Sequence, residues 1–306
     1  MLMKKHYEIK SNLSQDEIMQ LISQGEHFFQ SQLEEISESL LEQQDLHFFG
    51  LTGPTCSGKT TSANLLTDFL ESRGKQIHVI SIDDFYYDKP HLLEMTRKKG
   101  ETKLDYDSEE TIDISLLESC VESLRAGKQT RLPKFNFTTG LREAGEEILP
   151  CAKDIFLFEG IQVLYPGVDR ILRSAQYQSI HIAPQSTIEI GGEIFEPNEI
   201  RLMRRLVRDY HFRNAEPEFT FTIWQSVRDN EEKLIFPNVH LCDYKIDSTM
   251  PYEIGILKPF LEKILPKVAM DPVHGSQASA ILTELKGVQS LSADLIPPNS
   301  LYKEFI

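Results

Sequence analysis

Positive charge, cysteine and long apolar runs are all scarce in this chain of 306 residues. It carries 32 Lys and Arg against 47 Asp and Glu, a formal net charge of −15. This balance argues against nucleic acid and membrane surfaces as partners, because both select clustered Lys and Arg. The first eight residues lack the apolar stretch of a signal peptide, and no later run approaches a membrane span. Four cysteines without paired or metal-like spacing indicate a reduced, cytoplasmic setting.

Apolar strands alternate with helical stretches from residue 46 onward. The predicted strands are residues 46–52, Gln76–Ile82, Asp154–Glu159, Ser179–Ala183 and Val239–Ile246. Continuous apolar strands separated by helices predict an α/β fold with a parallel sheet covered on both faces. Alternation around Gly191-Gly192 predicts a hairpin over Thr187–Glu196.

Helices are predicted at both ends of the chain. Ser14-Gln15-Asp16-Glu17 is a capping-box pattern that opens an amphipathic stretch, and residues 252–270 and 275–290 are also helical in pattern. We therefore divide the chain into a helical extension (1–45), a central domain (46–250) and a helical tail packed on that domain (251–306).

A phosphate-binding pattern lies at the start of the central domain. Residues 53–60 read Gly-Pro-Thr-Cys-Ser-Gly-Lys-Thr, which is G-x-x-x-x-G-K-[ST] between a predicted strand and a predicted helix. In that context backbone N–H groups and the helix N-terminus bind phosphate oxygens, Lys59 reaches the terminal phosphates and the Thr60 hydroxyl ligates Mg²⁺. The loop predicts a site for a nucleoside triphosphate, formed by Gly53, Pro54, Thr55, Cys56, Ser57, Gly58, Lys59, Thr60 and Thr61.

Carboxylates follow two of the predicted strands. Asp83 and Asp84 come after the second strand, and Glu159 ends the third. Ligands of parallel sheets lie beyond the carboxyl ends of the strands, so Glu159 is suited to hold Mg²⁺ and Asp83 to accept the proton of an attacking hydroxyl. Turn formation or helix capping is the alternative role for Asp83.

Four arginines share one face of a predicted helix. Arg201, Arg204, Arg205 and Arg208 follow i, i+3, i+4, i+7 spacing, with Arg213 beyond them and Asp209 as the one acidic residue of the segment. Such a run is often a solvated face, but its concentration in an acidic chain favours phosphate binding. Cys56, inside the phosphate loop, is either a reactive thiol or a small residue that fits the loop.

The ordered set of motifs resembles the phosphoribulokinase/uridine kinase family of P-loop kinases, closest to its bacterial uridine kinase-like branch. The matching stretches are residues 53–60, Ser81-Ile-Asp-Asp-Phe-Tyr86, Leu104-Asp-Tyr-Asp107, Leu132-Pro-Lys-Phe-Asn-Phe137, Phe158-Glu-Gly160 and 201–209, with 222–228, 231–237 and 300–306 shared by the branch. The resemblance implies a P-loop parallel sheet, an arginine-bearing lid, and ATP and Mg²⁺ as cofactors.

The resemblance also implies residue roles. Asp83 matches the general base, Glu159 the acidic residue near Mg²⁺, and Arg208 and Arg213 lid arginines over the phosphates. Asp83, Lys59 and Arg208 are thereby the expected catalytic residues, and Thr60 and Glu159 the metal ligands. The expected substrate contacts are Asp83, Tyr86, Asp107, Phe135, Phe137, Arg142 and Arg205.

The segment that reads the base in uridine–cytidine kinases differs here. Phe135 and Gly140 stand where a Tyr and a His are usual, and Asn136 replaces an Asp beside them. Outside this segment, Asn214 replaces the Gly that usually follows the lid arginine. Losing a hydroxyl and an imidazole removes groups that give discrimination. The predicted reaction is phosphorylation of a nucleoside, uridine or cytidine, at its 5′-hydroxyl. A kinase of another hydroxylated metabolite and a nucleotide switch without acceptor chemistry are the alternatives, and a homo-oligomer is left open.

Overall fold

The computed structural model describes residues 4–43, 48–100 and 108–306. The strands in these ranges are β1 (His6–Ile9), β2 (Phe48–Thr52), β3 (Gln76–Ser81), β4 (Thr130–Asn136), β5 (Leu141–Ile148), β6 (Asp154–Glu159), β7 (Tyr177–Ala183), β8 (Thr187–Ile190), β9 (Glu193–Phe195) and β10 (Tyr244–Asp247). The α-helices are α1 (Gln15–Glu42), α2 (Lys59–Ser72), α3 (Lys89–Lys98), α4 (Ile114–Arg125), α5 (Pro166–Leu172), α6 (Pro197–Phe212), α7 (Pro217–Leu234), α8 (Glu253–Val268) and α9 (Gly275–Glu284).

A five-stranded sheet forms the centre of the molecule, in the order β10-β7-β2-β6-β3. All four of its strand pairings are parallel, as predicted. The Phe-Phe-Gly-Leu-Thr sequence of β2 is buried throughout, whereas the edge strand β3 alternates and leaves Val79 exposed. Strands covered on both faces need apolar side chains at every position, which explains the continuous apolar runs of the sequence.

The carboxyl ends of three strands are level with one another. Glu159 of β6 lies opposite Leu51 of β2 on one side and opposite Ser81 of β3 on the other. The phosphate loop follows β2 and the turn that holds Asp83 follows β3, so the register brings both to the end of β6.

The N-terminal segment contains a strand as well as the predicted helix. The predicted capping box is present at the start of α1: the Ser14 side chain accepts from the Glu17 N–H, and the Glu17 carboxylate accepts from the Ser14 N–H at 2.8 Å. β1, which the sequence did not predict, pairs in parallel with β8 of the predicted hairpin. Four half-exposed residues carry little pattern, and the partner strand lies about 180 residues away, so only the tertiary fold defines β1.

Two further predictions needed correction or addition. The predicted fifth strand over Val239–Ile246 was wrong in its first half, where Phe236–Leu241 forms a 3₁₀ turn that starts beside Pro237, and β10 begins only at Tyr244. Pro237 cannot donate to a strand ladder, which favours the turn. The antiparallel hairpin of β4 and β5 was not predicted either, since the polar sequence of β5 lacks an apolar face.

The C-terminal segment is helical, as predicted, and it is part of the main core. One apolar cluster contains Ile22 of α1, Leu66 of α2, Ile182 of β7, Leu257 of α8 and Phe305 near the C-terminus. All three predicted segments contribute to this one core, so the core does not divide the chain at residues 45 and 250. These two boundaries stay a prediction.

Candidate active site

The phosphate loop has the backbone that its glycines allow. Gly58, directly before α2, has a left-handed φ of 93°, and a Cβ there would collide with the Leu301 side chain. At Gly53 a Cβ would collide with the carbonyl oxygen of Ile182 in β7. The two glycines therefore answer different demands, a special φ at one and a close approach of two backbones at the other.

Lys59 and Thr60 open helix α2 inside the same cleft. The Lys59 ammonium donates to the carbonyl oxygens of Gly53 and Pro54 at 2.8 and 3.0 Å. Burial lowers the pKa of Lys59, against the attraction of Glu159 and Glu304. Thr60 lines the cleft with its side chain exposed. Both residues line the cleft, and their roles toward phosphate and Mg²⁺ stay a prediction.

The cleft beyond the sheet has a volume of about 1130 Å³. That exceeds a typical single-ligand pocket of roughly 300–1,000 Å³, so the cleft has room for two substrates. Its charged lining is balanced, with four basic side chains (Lys59, Arg205, Arg208, Arg213) and four acidic ones (Asp83, Glu159, Glu231, Glu304). Anions therefore meet a local field very different from the net charge of −15 for the whole chain.

Asp83 lies at the inner wall of the cleft, in the 3₁₀ turn that follows β3. Its carboxylate accepts a hydrogen bond of 2.6 Å from the Gln162 amide. Burial raises the pKa of Asp83, and the nearby Glu159 carboxylate adds to the rise, whereas hydrogen bonds from Gln162 and Tyr86 and the charge of Lys59 oppose it. A carboxylate of raised pKa is a better proton acceptor, which suits a general base.

The neighbouring Asp84 has a structural position. Its two carboxylate oxygens accept from the Lys134 ammonium and from the Phe135 backbone N–H, both at 3.0 Å. Asp84 thereby ties strand β4 to the end of β3. The two adjacent carboxylates divide the work, and Asp83 is the one that lines the cleft.

The arginines of α6 and its C-terminal end separate into two groups. Arg205, Arg208 and Arg213 all pair with the buried Asp209, at 3.1, 2.7 and 3.6 Å, and all three line the cleft. One carboxylate thus holds three guanidinium groups beside the phosphate loop.

Arg201 and Arg204 have structural partners instead. Arg201 is buried against Glu231 of α7 and donates to the Thr55 carbonyl at 3.0 Å. Arg204, fully buried, pairs with Glu253 at 2.7 Å and donates to the Cys56 carbonyl at 3.2 Å. The prediction of one phosphate-binding face needs correction for these two, because their charges are already compensated inside the protein.

The predicted substrate residues lie in different surroundings. Tyr86 lines the cleft, and its ring packs edge-on against Phe135, 5.5 Å between centroids. Phe135 is buried, Phe137 is exposed beside it, and neither lines the cleft itself. Arg142 also lies outside the lining and pairs with Asp113 at 2.9 Å. Asp107 falls outside the described residues.

Cys56 is buried inside the loop with a positive φ of 57°. Access to its thiol is therefore restricted, which favours the interpretation of Cys56 as a small residue that fits the loop.

Three residues of the site were given no role there from the sequence, although Glu231 and Glu304 lie in stretches shared with the uridine kinase-like branch. Gln162 contacts Asp83, Glu231 accepts from the Thr55 N–H at 3.1 Å, and Glu304 accepts from the Thr61 N–H at 3.3 Å. Glu231 and Glu304 lie 176 and 243 residues from their partners along the chain, so no local pattern could reveal them.

Comparison with known proteins gives the family. The family model described as Phosphoribulokinase / Uridine kinase family matches residues 48–253, well over half of the chain. The chain belongs to this family. It is therefore a P-loop phosphotransferase, as the motifs implied. The match covers β2 with the phosphate loop, the Asp83 turn, β6 and the arginine-bearing helix α6.

Individual relatives are more distant. A uridine kinase from Yersinia enterocolitica is 30% identical over 197 residues, which are 63% of this chain and 83% of the relative. Uridine-cytidine kinase C from Dictyostelium discoideum is 24% identical over 83% of this chain, which spans half the length of that protein. The crystal structure of a proposed fructose transport system kinase from Silicibacter sp. TM1040 has a TM-score of 0.52 at 20% identity, covering 70% of this chain and 98% of that one, and it supports the fold alone.

The oxygen ligands of the kinase fit a magnesium ion. Mg²⁺ is usually held by one or two protein oxygens together with substrate phosphates and water. Thr60 and Glu159 line one cleft and offer a hydroxyl and a carboxylate. Within the described ranges no group of three His, Cys, Asp or Glu side chains could hold a metal alone.

In the part of the chain that the structure describes, no helix combines the length and the apolar character that a membrane crossing needs.

Proposed function

We propose that the protein is an ATP-dependent nucleoside kinase that transfers the γ-phosphoryl group to the 5′-hydroxyl of uridine or cytidine. The observation that carries the proposal is the position of Asp83, two residues beyond the strand end that lies opposite Glu159 and in one cleft with the phosphate loop. A protein that only binds a nucleotide needs the phosphate loop but has no use for a general base such as Asp83. The uridine kinase relatives support a nucleoside as the acceptor.

The chemistry follows from the lining residues. The phosphate loop and Lys59 bind the triphosphate, while Thr60 and Glu159 would hold Mg²⁺, which supplies charge neutralisation between the phosphates when bound. Asp83 accepts the proton of the acceptor hydroxyl while the hydroxyl oxygen attacks the γ-phosphorus. The bond from that phosphorus to the bridging oxygen breaks, and ADP leaves. Arg208 and Arg213 neutralise the charge of the transferring group.

A second acceptor class is supported by the aromatic surface beside Tyr86. The Phe135 ring is buried against Tyr86, and Phe137 packs edge-on against Phe135 at 5.1 Å. Neither ring offers a hydrogen-bonding group to the edge of a base. Two rings without such groups add little discrimination among acceptors. A different hydroxylated metabolite is therefore the alternative substrate.

The test is release of ADP from ATP and Mg²⁺ with a panel of nucleosides and sugar-like alcohols. We expect release only when an acceptor is present, with uridine or cytidine giving the largest kcat/KM. The Lys59→Ala variant, which lacks the lysine of the phosphate loop, gives the background rate of ADP release. If no nucleoside stimulates ADP release, while ATP binding is measurable and another alcohol does stimulate release, the second acceptor class is favoured. Release that ignores the acceptor would contradict both.

A further inference from the structure

The Gln162 side chain connects the proposed base to the tyrosine beside it. Its amide nitrogen donates to Asp83 Oδ1 at 2.6 Å and to the Tyr86 hydroxyl at 2.8 Å. Since an ionised carboxylate only accepts hydrogen bonds, the NH₂ end of the amide must face Asp83. Gln162 itself is almost completely buried, so these contacts are held away from bulk water.

The turn after β6 is built to place this amide. Gln162 lies in the 3₁₀ turn Ile161–Leu164, directly after Glu159 and Gly160. A Cβ at Gly160 would lie 2.6 Å from Gln162 Oε1, so any larger residue there would push the amide away. The absence of a side chain at position 160 therefore leaves space for the Gln162 amide.

We propose that Gln162 is a positioning residue for the acid–base step, an inference that rests on the proposed function of Asp83. The amide restricts rotation of the carboxyl group and favours its ionised form, ready to accept a proton from the acceptor. Glu159, Lys59 and Tyr86 also face Asp83; Gln162 and Tyr86 are both neutral donors to it, and the Gln162 amide contacts both of the other two side chains in this group of three.

The Gln162→Met variant removes the donor and keeps the length of the side chain. Hydrogen bonds to charged groups correspond to about a ten- to hundredfold change, and we expect kcat to fall by that factor while the KM for ATP is unchanged. The acidic limb of the kcat profile should move to higher pH, because the Asp83 carboxylate loses a donor. Gln24→Met, on the exposed face of α1, is the matched control.

A second readout needs no turnover. A ¹³C titration of the Asp83 carboxyl, assigned with Asp83→Asn, should give a higher pKa in Gln162→Met than in the unmodified protein. An unchanged pKa with an unchanged acidic limb would overturn the positioning role. If Asp83→Asn retains full acceptor-dependent turnover, the proposed function fails first, and the titration alone then decides whether Gln162 acts on the carboxyl group.

An independent observation concerns the C-terminal turn Leu301–Glu304, which lies over the start of helix α2. The Leu301 side chain packs where a Cβ of Gly58 would be. Glu304 Oε2 accepts from the Thr61 N–H at 3.3 Å and from the Thr61 hydroxyl at 3.2 Å. The carboxylate therefore caps the helix that follows the phosphate loop.

The turn is firmly anchored. Tyr302 and Phe305 are fully buried, and the Tyr302 hydroxyl donates to Glu253 at 2.9 Å. The Arg204 guanidinium lies 5.6 and 5.0 Å from the centroids of these two rings. The backbone of the segment is thus held by the core, while the partly exposed Glu304 side chain can change rotamer without it.

We infer that Glu304 is an internal competitor of the nucleotide, an inference that rests on the proposed phosphate site. The first turn of a helix favours one negative charge, and a carboxylate and a phosphate group cannot occupy the same amide together. Nucleotide binding requires the Glu304 side chain to leave Thr61. The C-terminal turn thereby lowers the affinity of the loop for nucleotide.

The Glu304→Gln variant tests this competition. Calorimetric titration should give a Kd for ADP and for ATP lower by about three- to tenfold, the effect of a charge at a helix end. The Kd for adenosine, which lacks phosphate, should not change. Lys303→Gln, an exposed neighbour on the same turn, is the control. Thermal unfolding without nucleotide verifies that each variant is folded.

The outcomes separate the two levels of the argument. An equal or higher Kd in Glu304→Gln, with normal binding by the unmodified protein, overturns the competition alone. Failure of both proteins to bind ATP or ADP would reject the phosphate site and the competition together.

Discussion

At the scale of single residues, position decides between chemically identical side chains. Asp83 and Asp84 are adjacent, yet Asp83 lines the cleft, whereas Asp84 holds Lys134 and the Phe135 backbone. The 3₁₀ turn after β3 directs consecutive side chains in different directions. Burial beside Glu159 then raises the pKa of Asp83.

We expect Asp83→Asn to reduce kcat by about two to four orders of magnitude, since general-base catalysis contributes that much. The Kd for ATP should stay within twofold of normal, roughly the scatter of such titrations. In the unmodified protein, activity should be lost as pH falls through the raised pKa of Asp83, above the ordinary aspartate value of about 3.9. Steady-state kinetics against pH, with calorimetry for ATP, checks both statements.

Asp84→Asn is the paired control. It should affect stability more than chemistry, because the amide keeps an acceptor for the Phe135 N–H but loses the charge that holds Lys134. Normal turnover in Asp83→Asn would remove the base assignment.

At the scale of the element, helix α6 combines a structural and a functional group of arginines. Arg204 is inside the protein with Glu253, and Arg208 lies at the cleft with Asp209. They are four residues apart, so one helical face carries both groups. The difference arises from what each guanidinium meets: the buried end of α8 in one case and the open cleft in the other.

Arg204→Met should therefore reduce stability, whereas Arg208→Ala should reduce the rate of catalysis. Arg204→Met leaves Glu253 buried without its partner, which should lower the free energy of unfolding by about 3–5 kcal/mol. Arg208→Ala should lower kcat by about 10³-fold, the usual effect of an arginine on a transferring phosphoryl group. Its stability should change little, because Arg205 and Arg213 still compensate Asp209.

Urea denaturation and steady-state kinetics measure the two effects in parallel. Equal losses of stability in the two variants would contradict the division of α6 into two groups.

At the scale of the whole molecule, the central sheet contains a histidine that responds to pH. His181, on β7 and level with Thr52 of β2, is buried, and neither ring nitrogen makes a hydrogen bond within the described residues. Burial, with the nearby charges of Lys245, Lys59 and Arg201, lowers the pKa of His181 to about 3. The imidazole is therefore neutral in the folded protein throughout the physiological range.

The sign of the pH dependence follows. The unfolded chain binds a proton at His181 near pH 6.5, whereas the folded protein does so only near pH 3. Its contribution to stability is thus complete above pH 6.5 and decreases as pH falls toward 3, by about 1.4 kcal/mol for each pH unit. Urea denaturation between pH 5 and 6.5, before most carboxylates titrate, measures this slope.

The His181→Leu variant should flatten the slope in that window. His27→Gln, exposed on α1, should leave the slope as it is. An identical slope in His181→Leu would mean that another group is responsible for the pH dependence.

The parts of this kinase that depend only on neighbouring residues can be predicted from the chain. The phosphate loop, the buried strands β2, β6 and β7, the capping box at Ser14 and the hairpin around Gly191 are each specified within a dozen residues, because backbone geometry and burial on both faces impose local patterns. The positions of Asp83 and Glu159 were predictable for the same reason, since Glu159 ends one strand of the parallel sheet and Asp83 lies two residues beyond the end of another.

Features that depend on residues far apart in the chain became visible only in the folded protein. The tertiary structure divided the arginines of α6 by their partners, paired β1 with β8, and brought Gln162 to Asp83 and Glu304 to Thr61. A polar side chain in a sequence does not reveal which charge or amide it will meet, because that contact exists only after distant elements have packed. The phosphate loop of the kinase can therefore be predicted from its sequence, whereas the contacts that Gln162 and Glu304 make around it depend on the fold.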